Sequence, residues 1–304
     1  MLNKKTLQFY CNMTLLIAAI ISGLSFVAQK NGMDFVGPFT FNTLRAFIGS
    51  ITLFVIIIFL KIFSKDKTIK FNKREYKTLS KGGLICGILL FAGLSINQIC
   101  MLYSSAGKAG FITSLYILFV PLISIFLDKK LGKNVIYGIV LALCGLFFLC
   151  FKTANGFKLS DGFLLVSAIF FAIQLIAVGY FAKKVNPLKL ALAEFLVMGF
   201  LSLPFALILE SPNPDLIIAG MIPILFAGVI VTAGTYTLQI FGQKATNPTI
   251  ASLILSSEAI FATLGGMIFL NESMTYKEIL GCILMLLALV VTQINFDKKL
   301  RRIK

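Results

Sequence analysis

Gly87-Ile-Leu-Leu-Phe-Ala-Gly93 followed by Gln98, and Gly228-Val-Ile-Val-Thr-Ala-Gly234 followed by Gln239, are two versions of one pattern. Glycine, alanine, glycine and glutamine recur at a constant offset of 141 (228 − 87 and 239 − 98). Ala19 with Ala168 and Pro38 with Pro187 repeat at an offset of 149. The difference of 8 (149 − 141) vanishes if the first copy carries about eight extra residues between its second and third segments, where the basic stretch from Lys61 to Lys81 lies. Echoes at fixed offsets mark a doubled unit. The chain is therefore expected to divide into residues 1–153 and 154–304, with Asn155-Gly156 turning the junction.

Hydrophobic residues make up 58% of the 304 positions, charged residues 13%, and the mean hydropathy is +0.95. That is more apolar surface than a soluble fold of this size hides, so the chain belongs in a membrane. A hydrocarbon core about 30 Å thick needs roughly 20 apolar residues per helix, the spacing at which charges punctuate this sequence. Ten spans are predicted: 11–29, 39–60, 82–103, 109–127, 135–151, 160–181, 189–209, 218–241, 249–270 and 276–296. Continuous apolarity excludes the alternation of a barrel. The expected fold is an all-α polytopic membrane protein of ten transmembrane helices, built as two five-helix repeats. Five is odd, so the second repeat enters from the opposite side and the repeats are inverted, a design that places a site near the midplane between halves.

Net charge is +16, but its distribution argues against nucleic acid. Twenty-two of the 28 Lys and Arg fall on one alternate set of connections, against 5 on the other, with Arg45 inside a span. The positive-inside rule then puts both termini in the cytoplasm, as expected for a multi-pass protein of the plasma (inner) membrane. The Lys61 to Lys81 stretch is expected against anionic headgroups. Its two aromatics, Phe71 and Tyr76, form no stacking series. The first span is too long and lacks a small-residue cleavage site, so it is read as a retained helix and not a leader. Six cysteines without a CxxC read as small buried hydrophobes, and no metal or cofactor is expected.

Ser104 to Gly132, SSAGKAGFITSLYILFVPLISIFLDKKLG, resembles the fourth-helix region of the EamA-type branch of the drug/metabolite transporter superfamily. Ala251 to Val291 resembles that family's closing helix pair, with Glu258 and Glu272 on its acidic positions, and Pro38 to Gly49 resembles its second helix, with Arg45. The resemblance covers essentially the whole chain. It implies secondary active transport of a small polar metabolite, such as an amino acid and often by export, through alternating access. Uptake of a vitamin or nucleoside-like metabolite is the alternative on the same fold. The sequence departs from the family where Ser22 precedes Gly23 and Ala259 follows Glu258; having no tryptophan, it lacks an indole platform. An intramembrane enzyme lacks its parts, with no histidine, HExxH or GxSxG, and a passive channel lacks a filter sequence or charged ring.

Ionisable groups deep in a bilayer are costly, roughly 2.5 to 3.5 kcal/mol each on insertion scales, so each needs a reason. Arg45, Glu194 and Glu258 lie well inside. Glu258, near mid-depth, is the candidate proton carrier or contact for a substrate ammonium, against a packed carboxylic acid as the structural alternative. Arg45 sits about 9 Å below the outer surface. It is expected to snorkel to the headgroups, or else to form a structural pair or an anion-attracting vestibule. Glu194 is its counterpart at the 149 offset, on the opposite leaflet, so a direct salt bridge is not expected. Glu272 is expected in water. Ser25, Asn97, Tyr116, Gln174, Thr235 and Tyr236 complete a candidate substrate pocket drawn from both repeats, with interhelical hydrogen bonding as each one's alternative role. Gln98 and Gln239, at similar depth, are further candidates for that pocket or for structural hydrogen bonds; occupying equivalent positions toward opposite surfaces, they read alternatively as a gate pair.

Overall fold

The structure, a computed structural model, describes residues 4–63, 73–103, 106–126, 133–150, 159–270 and 276–293, and these are helices joined by turns. Residues 64–72 of the basic stretch, the 151–158 junction, Glu272 and the C-terminal basic tail lie outside the described residues. In order the helices are α1 (Lys4–Met33), α2 (Pro38–Phe63), α3 (Lys73–Met101), α4 (Ala106–Ser114), α5 (Tyr116–Phe126), α6 (Lys133–Cys150), α7 (Leu159–Phe181) and α8 (Pro187–Phe205). There follow α9 (Pro214–Ala219), α10 (Met221–Leu225), α11 (Tyr236–Gln243), α12 (Pro248–Leu255), α13 (Glu258–Leu270) and α14 (Tyr276–Gln293). Two π-helical segments, Ala206–Glu210 and Phe226–Thr235, continue α8 and join α10 to α11.

Seven helical stretches are long and apolar enough to cross a membrane. Three shorter apolar ones, Ile112–Phe126, Lys133–Gly145 and Ile279–Ala288, fall on the fourth, fifth and tenth expected spans. Many large apolar side chains face outward, while most polar side chains within the helices are buried beside the apolar core clusters. Along α2, Ile51, Phe54, Val55, Phe59 and Ile62 face outward, while Asn42 and Arg45 are buried. That inversion suits a lipid surround, where the outer face meets hydrocarbon and polar groups must find partners within the protein. Cys11, Cys86 and Cys100 are buried as expected, but Cys144 is exposed. Lys189, one of the 22 basic residues counted on the basic set of connections, is buried in the first turn of α8, 3.8 Å from Glu75 of α3.

Two expected spans are broken. The fourth divides at Leu115, and the ninth at Ser256 and Ser257. In the ninth, Ser252, Ser256 and Ser257 donate their hydroxyls to the carbonyls of Thr249, Leu253 and Ile254. Such back-bonding competes with the helix ladder and bends it. The π-segments begin two residues after Pro204 and three after Pro223. Proline removes an amide and crowds the preceding turn, and the wider π-turn accommodates the opened ladder. Asn186 and Asn247 cap α8 and α12 ahead of their prolines, accepting from Leu188 N and Thr249 N, as Asn-Pro predicts.

The helices pack in pairs: α3 along α7 and α8, α2 along α8 and the 226–235 π-segment, α1 along α13, and α6 along α14. Glycines set the closest crossings. A Cβ on Gly83 would stand 2.5 Å from Ala193 Cβ, and one on Gly145 would stand 2.8 Å from the Gly281 carbonyl. At the N-terminus of α2, Glu210 accepts from Phe39 N at 2.8 Å and Thr40 N at 2.7 Å. A carboxylate at this end satisfies two of the helix's orphan amides and complements its dipole. Replacing Glu210 by Ala is expected to cost about 1 to 2 kcal/mol, measured as a lowered thermal unfolding midpoint in detergent, with Gln recovering part of the loss.

Candidate functional site

A cavity of about 70 Å³ opens where helices from both halves of the chain meet. By the space one water requires, it holds about five water-sized groups. Its polar lining is Ser22 and Gln29 of α1, Arg45 of α2, Asn97 of α3, Tyr116 of α5, Gln174 of α7, Tyr236 and Gln239 of α11 and Glu258 of α13. Phe26, Leu94, Phe171, Leu175, Val231 and Leu255 supply the apolar surface. Though indole is absent, Phe26, Tyr116, Phe171 and Tyr236 give the cavity aromatic walls. Every one of these residues sits on a helix whose outer face is apolar, so the polar stripe turns inward for want of any other partner.

Glu258 supplies the acid of the cavity. It is the first residue of α13, just past the serine break, and its Oε1 accepts from Tyr116 Oη at 3.2 Å. Tyr116 in turn opens α5 at the other break. The hydroxyls of Ser22 and Ser114 lie beside the carboxyl. Gly23 brings α1 against the same point, since a Cβ there would be 2.4 Å from the Glu258 carbonyl. The carboxyl thus sits in the first turn of α13, where the helix dipole favours a negative charge, beside hydroxyls from α1 and from the break between α4 and α5.

Arg45 supplies the base. Snorkelling is overturned: the side chain is 1% exposed and points into the protein. Its Nη1 donates to Gln29 Oε1 at 3.1 Å and its Nε to Thr232 Oγ1 at 3.2 Å, and Tyr236 lies beside it. Gln29 passes its own Nε2 to Ser25 Oγ at 2.9 Å. Counting depth along α2 fixed how far in the guanidinium starts, but not which way it points.

The other expected site residues divide clearly. Asn97 lines the cavity while donating to Thr113 Oγ1 at 2.6 Å, and Gln174 lines it while donating to Glu194 Oε1 at 2.6 Å. Ser25 and Thr235, expected at the pocket, are not among its lining residues. Ser25 stands behind Gln29, donating to the Ser22 carbonyl, and Thr235 turns back to the Ile230 carbonyl. Glu194 is fully buried behind Gln174, and among the described residues no salt bridge joins it to Arg45. Gln239 reaches the cavity, whereas Gln98 is fully buried outside it, neither amide atom finding a partner among the described residues. Ser22 and Gln29 were missed. A helical step of 3.6 residues puts Ser22, Phe26 and Gln29 in one stripe, which would have found them.

Comparison with known proteins adds two matches along the chain. The EamA-like transporter family matches residues 10–151 and again residues 158–294. An "Uncharacterized transporter" from Archaeoglobus fulgidus is 30% identical over 292 residues, covering 95% of this chain and 87% of its own. The "Uncharacterized transporter YoaV" of Bacillus subtilis is 24% identical, covering 92% of this chain and 95% of its own. A protein of known crystal structure, 17% identical, superposes with a TM-score of 0.73 over 91% of this chain and 94% of that one.

Proposed function

The chain belongs to the EamA-like transporter family, and from that premise we propose a secondary active carrier that moves a small polar metabolite by alternating access. The carrying observation is the cavity itself, small, enclosed by residues from both halves, with one acid, Glu258, and one base, Arg45, in its walls. Such a pair favours a small zwitterion of the amino-acid class, its carboxylate toward Arg45 and its ammonium toward Glu258. Asn97, Tyr116, Gln174 and Tyr236 complete the contacts. Glu258 also carries the proton that couples transport to a gradient, and export is the favoured direction.

The architecture in this reading is ten membrane crossings as two inverted five-helix repeats, with both termini cytoplasmic in the plasma membrane. The double family match supports it. So does a mirrored contact. A Cβ on Gly87 would stand 2.6 Å from Val197 Cβ and 2.7 Å from the Glu194 carbonyl, and one on Gly228 would stand 2.6 Å from Ile48 Cγ2 and 3.3 Å from the Arg45 carbonyl. Gly87 and Gly228 are related by 141, whereas Val197 with Ile48 and Glu194 with Arg45 are related by 149. Both offsets read from the sequence meet at one crossing and its mirror image.

The test is flux into liposomes holding purified protein under an imposed proton gradient, across a panel of amino acids, nucleosides, vitamins and lipophilic cations. Saturable, gradient-dependent movement of a small amino acid such as L-alanine is expected. Flux that never saturates would make the protein a channel, and no flux of any panel member would overturn the carrier reading.

A further inference from the structure

A second carboxyl stands one side chain behind the cavity wall. Glu194 on α8 is fully buried, its Oε1 holds one donor, Gln174 Nε2 at 2.6 Å, and its Oε2 has no hydrogen-bond partner among the described residues. Cys86 of α3 and Tyr236 of α11, whose ring stacks edge-on against Phe195, lie within electrostatic reach of it. Arg45, the charged residue of the neighbouring α2, is occupied with Gln29 and Thr232. A bare carboxylate with one donor and no cation is poorly compensated in such surroundings, so its charge depends on that single amide.

Gln174 differs from an ordinary structural partner because it also lines the cavity. Its amide can serve Glu194 or a solute, and a solute that engages the Nε2 group removes the one donor Glu194 has. Solute and the deprotonated carboxylate then compete for the same hydrogen bond, so solute binding and proton binding favour one another and the two equilibria are linked reciprocally.

Resting on the carrier reading above, we propose that Glu194 is a second proton-binding site of the transporter, controlled by Gln174. When Gln174 turns to solute, a hydronium ion of the cavity water breaks one of its O–H bonds, its proton forms an O–H bond on the Glu194 carboxylate, and a neutral water molecule is left. When solute leaves, Gln174 returns, that bond breaks and the proton passes back to water. Gln174 is the positioning residue, and it reports the filled or empty cavity to a carboxyl that the solute does not touch.

Infrared difference spectroscopy of the purified full-length protein, titrated with acid and base, tests this without any solute. Glu258→Gln is expected to retain a carboxylic C=O band from a buried acid, and the double variant Glu258→Gln with Glu194→Gln to lose it. Gln174→Leu, which removes the donor as a bound solute would, is expected to move that band's titration midpoint upward by about one pH unit, tenfold in proton affinity. Should the double variant fail to fold, the Glu258→Gln protein with and without Gln174→Leu still decides. A Glu258→Gln protein with no titrating carboxyl band, or a midpoint that Gln174→Leu leaves in place, overturns the proposal. Absence of flux in liposomes would overturn the carrier reading instead, leaving the spectroscopic result intact.

Discussion

Glu258→Gln is expected to reduce proton-driven flux to the background of empty liposomes while the protein remains folded. The two halves of that expectation come from different atoms of one side chain. Glutamine has nearly the shape of glutamic acid, and its Oε1 can still accept from Tyr116 Oη, the 3.2 Å bond that ties α13 to α5. Loss of stability should therefore stay within about 1 kcal/mol, the net worth of a typical hydrogen bond. What glutamine lacks is a titratable oxygen. Its place in the first turn of α13 and the hydroxyls of Tyr116, Ser22 and Ser114 stabilise a negative charge on this carboxyl, while burial among apolar helices opposes it. A group held between those opposing effects can exchange a proton during the transport cycle, and an amide cannot. Exchange of labelled solute for unlabelled solute across the bilayer, which needs no net proton movement, should survive in the variant when Glu258 acts only in coupling. It should vanish when Glu258 also grips the solute ammonium. Gradient-driven flux at the wild-type rate in Glu258→Gln would remove Glu258 from the mechanism.

What the sequence made legible follows from which groups can satisfy themselves. Asn97, Tyr116, Gln174, Tyr236 and Glu258 carry polar atoms too far from their own backbone to be quenched by it, so in apolar helices they turn toward one another, and all five line the cavity. Ser25 and Thr235 had the right depth, but their hydroxyls bond carbonyls of their own helix and ask nothing of a neighbour. Mid-depth serine and threonine are thus weaker pointers to a membrane site than asparagine, glutamine or glutamate. The apolar runs and charge punctuation fixed the all-helical membrane character because both are one-dimensional properties. The interruptions at Leu115 and at Ser256 and Ser257 were hidden, since hydropathy averages over a break that costs a ladder hydrogen bond without changing composition. Arg45 shows the same limit in the radial direction, where packing and not depth decides whether a long side chain reaches lipid headgroups or the interior.

Gly87→Ala and Gly228→Ala are expected to destabilise the protein by matched amounts, each about 1 to 3 kcal/mol as for other overpacked sites. In each case the new methyl meets atoms with little room to yield. For Gly87 these are Val197 Cβ at 2.6 Å and the Glu194 carbonyl at 2.7 Å, and for Gly228 they are Ile48 Cγ2 at 2.6 Å and Ile48 Cβ at 2.7 Å. Relief requires α3 to lift from α8, or the π-segment to lift from α2, and these are the crossings that seat Glu194 and Arg45. Flux should therefore fall alongside the thermal midpoint. Gly234→Ala is the control, because its nearest contact is the Val229 carbonyl at 3.7 Å. There a methyl meets only ordinary packing, and the gain in backbone propensity keeps the change neutral or stabilising. Ile48→Ala removes the Cγ2 contact and should recover part of the Gly228→Ala loss, whereas Val197→Ala leaves the Cβ and the Glu194 carbonyl in place and should recover little of the Gly87→Ala loss. The crossed combinations should add independently, as substitutions without shared partners do. If one glycine tolerates alanine and the other does not, the two crossings are not energetic equivalents, and the mirrored interlock loses its support as the frame on which the halves move.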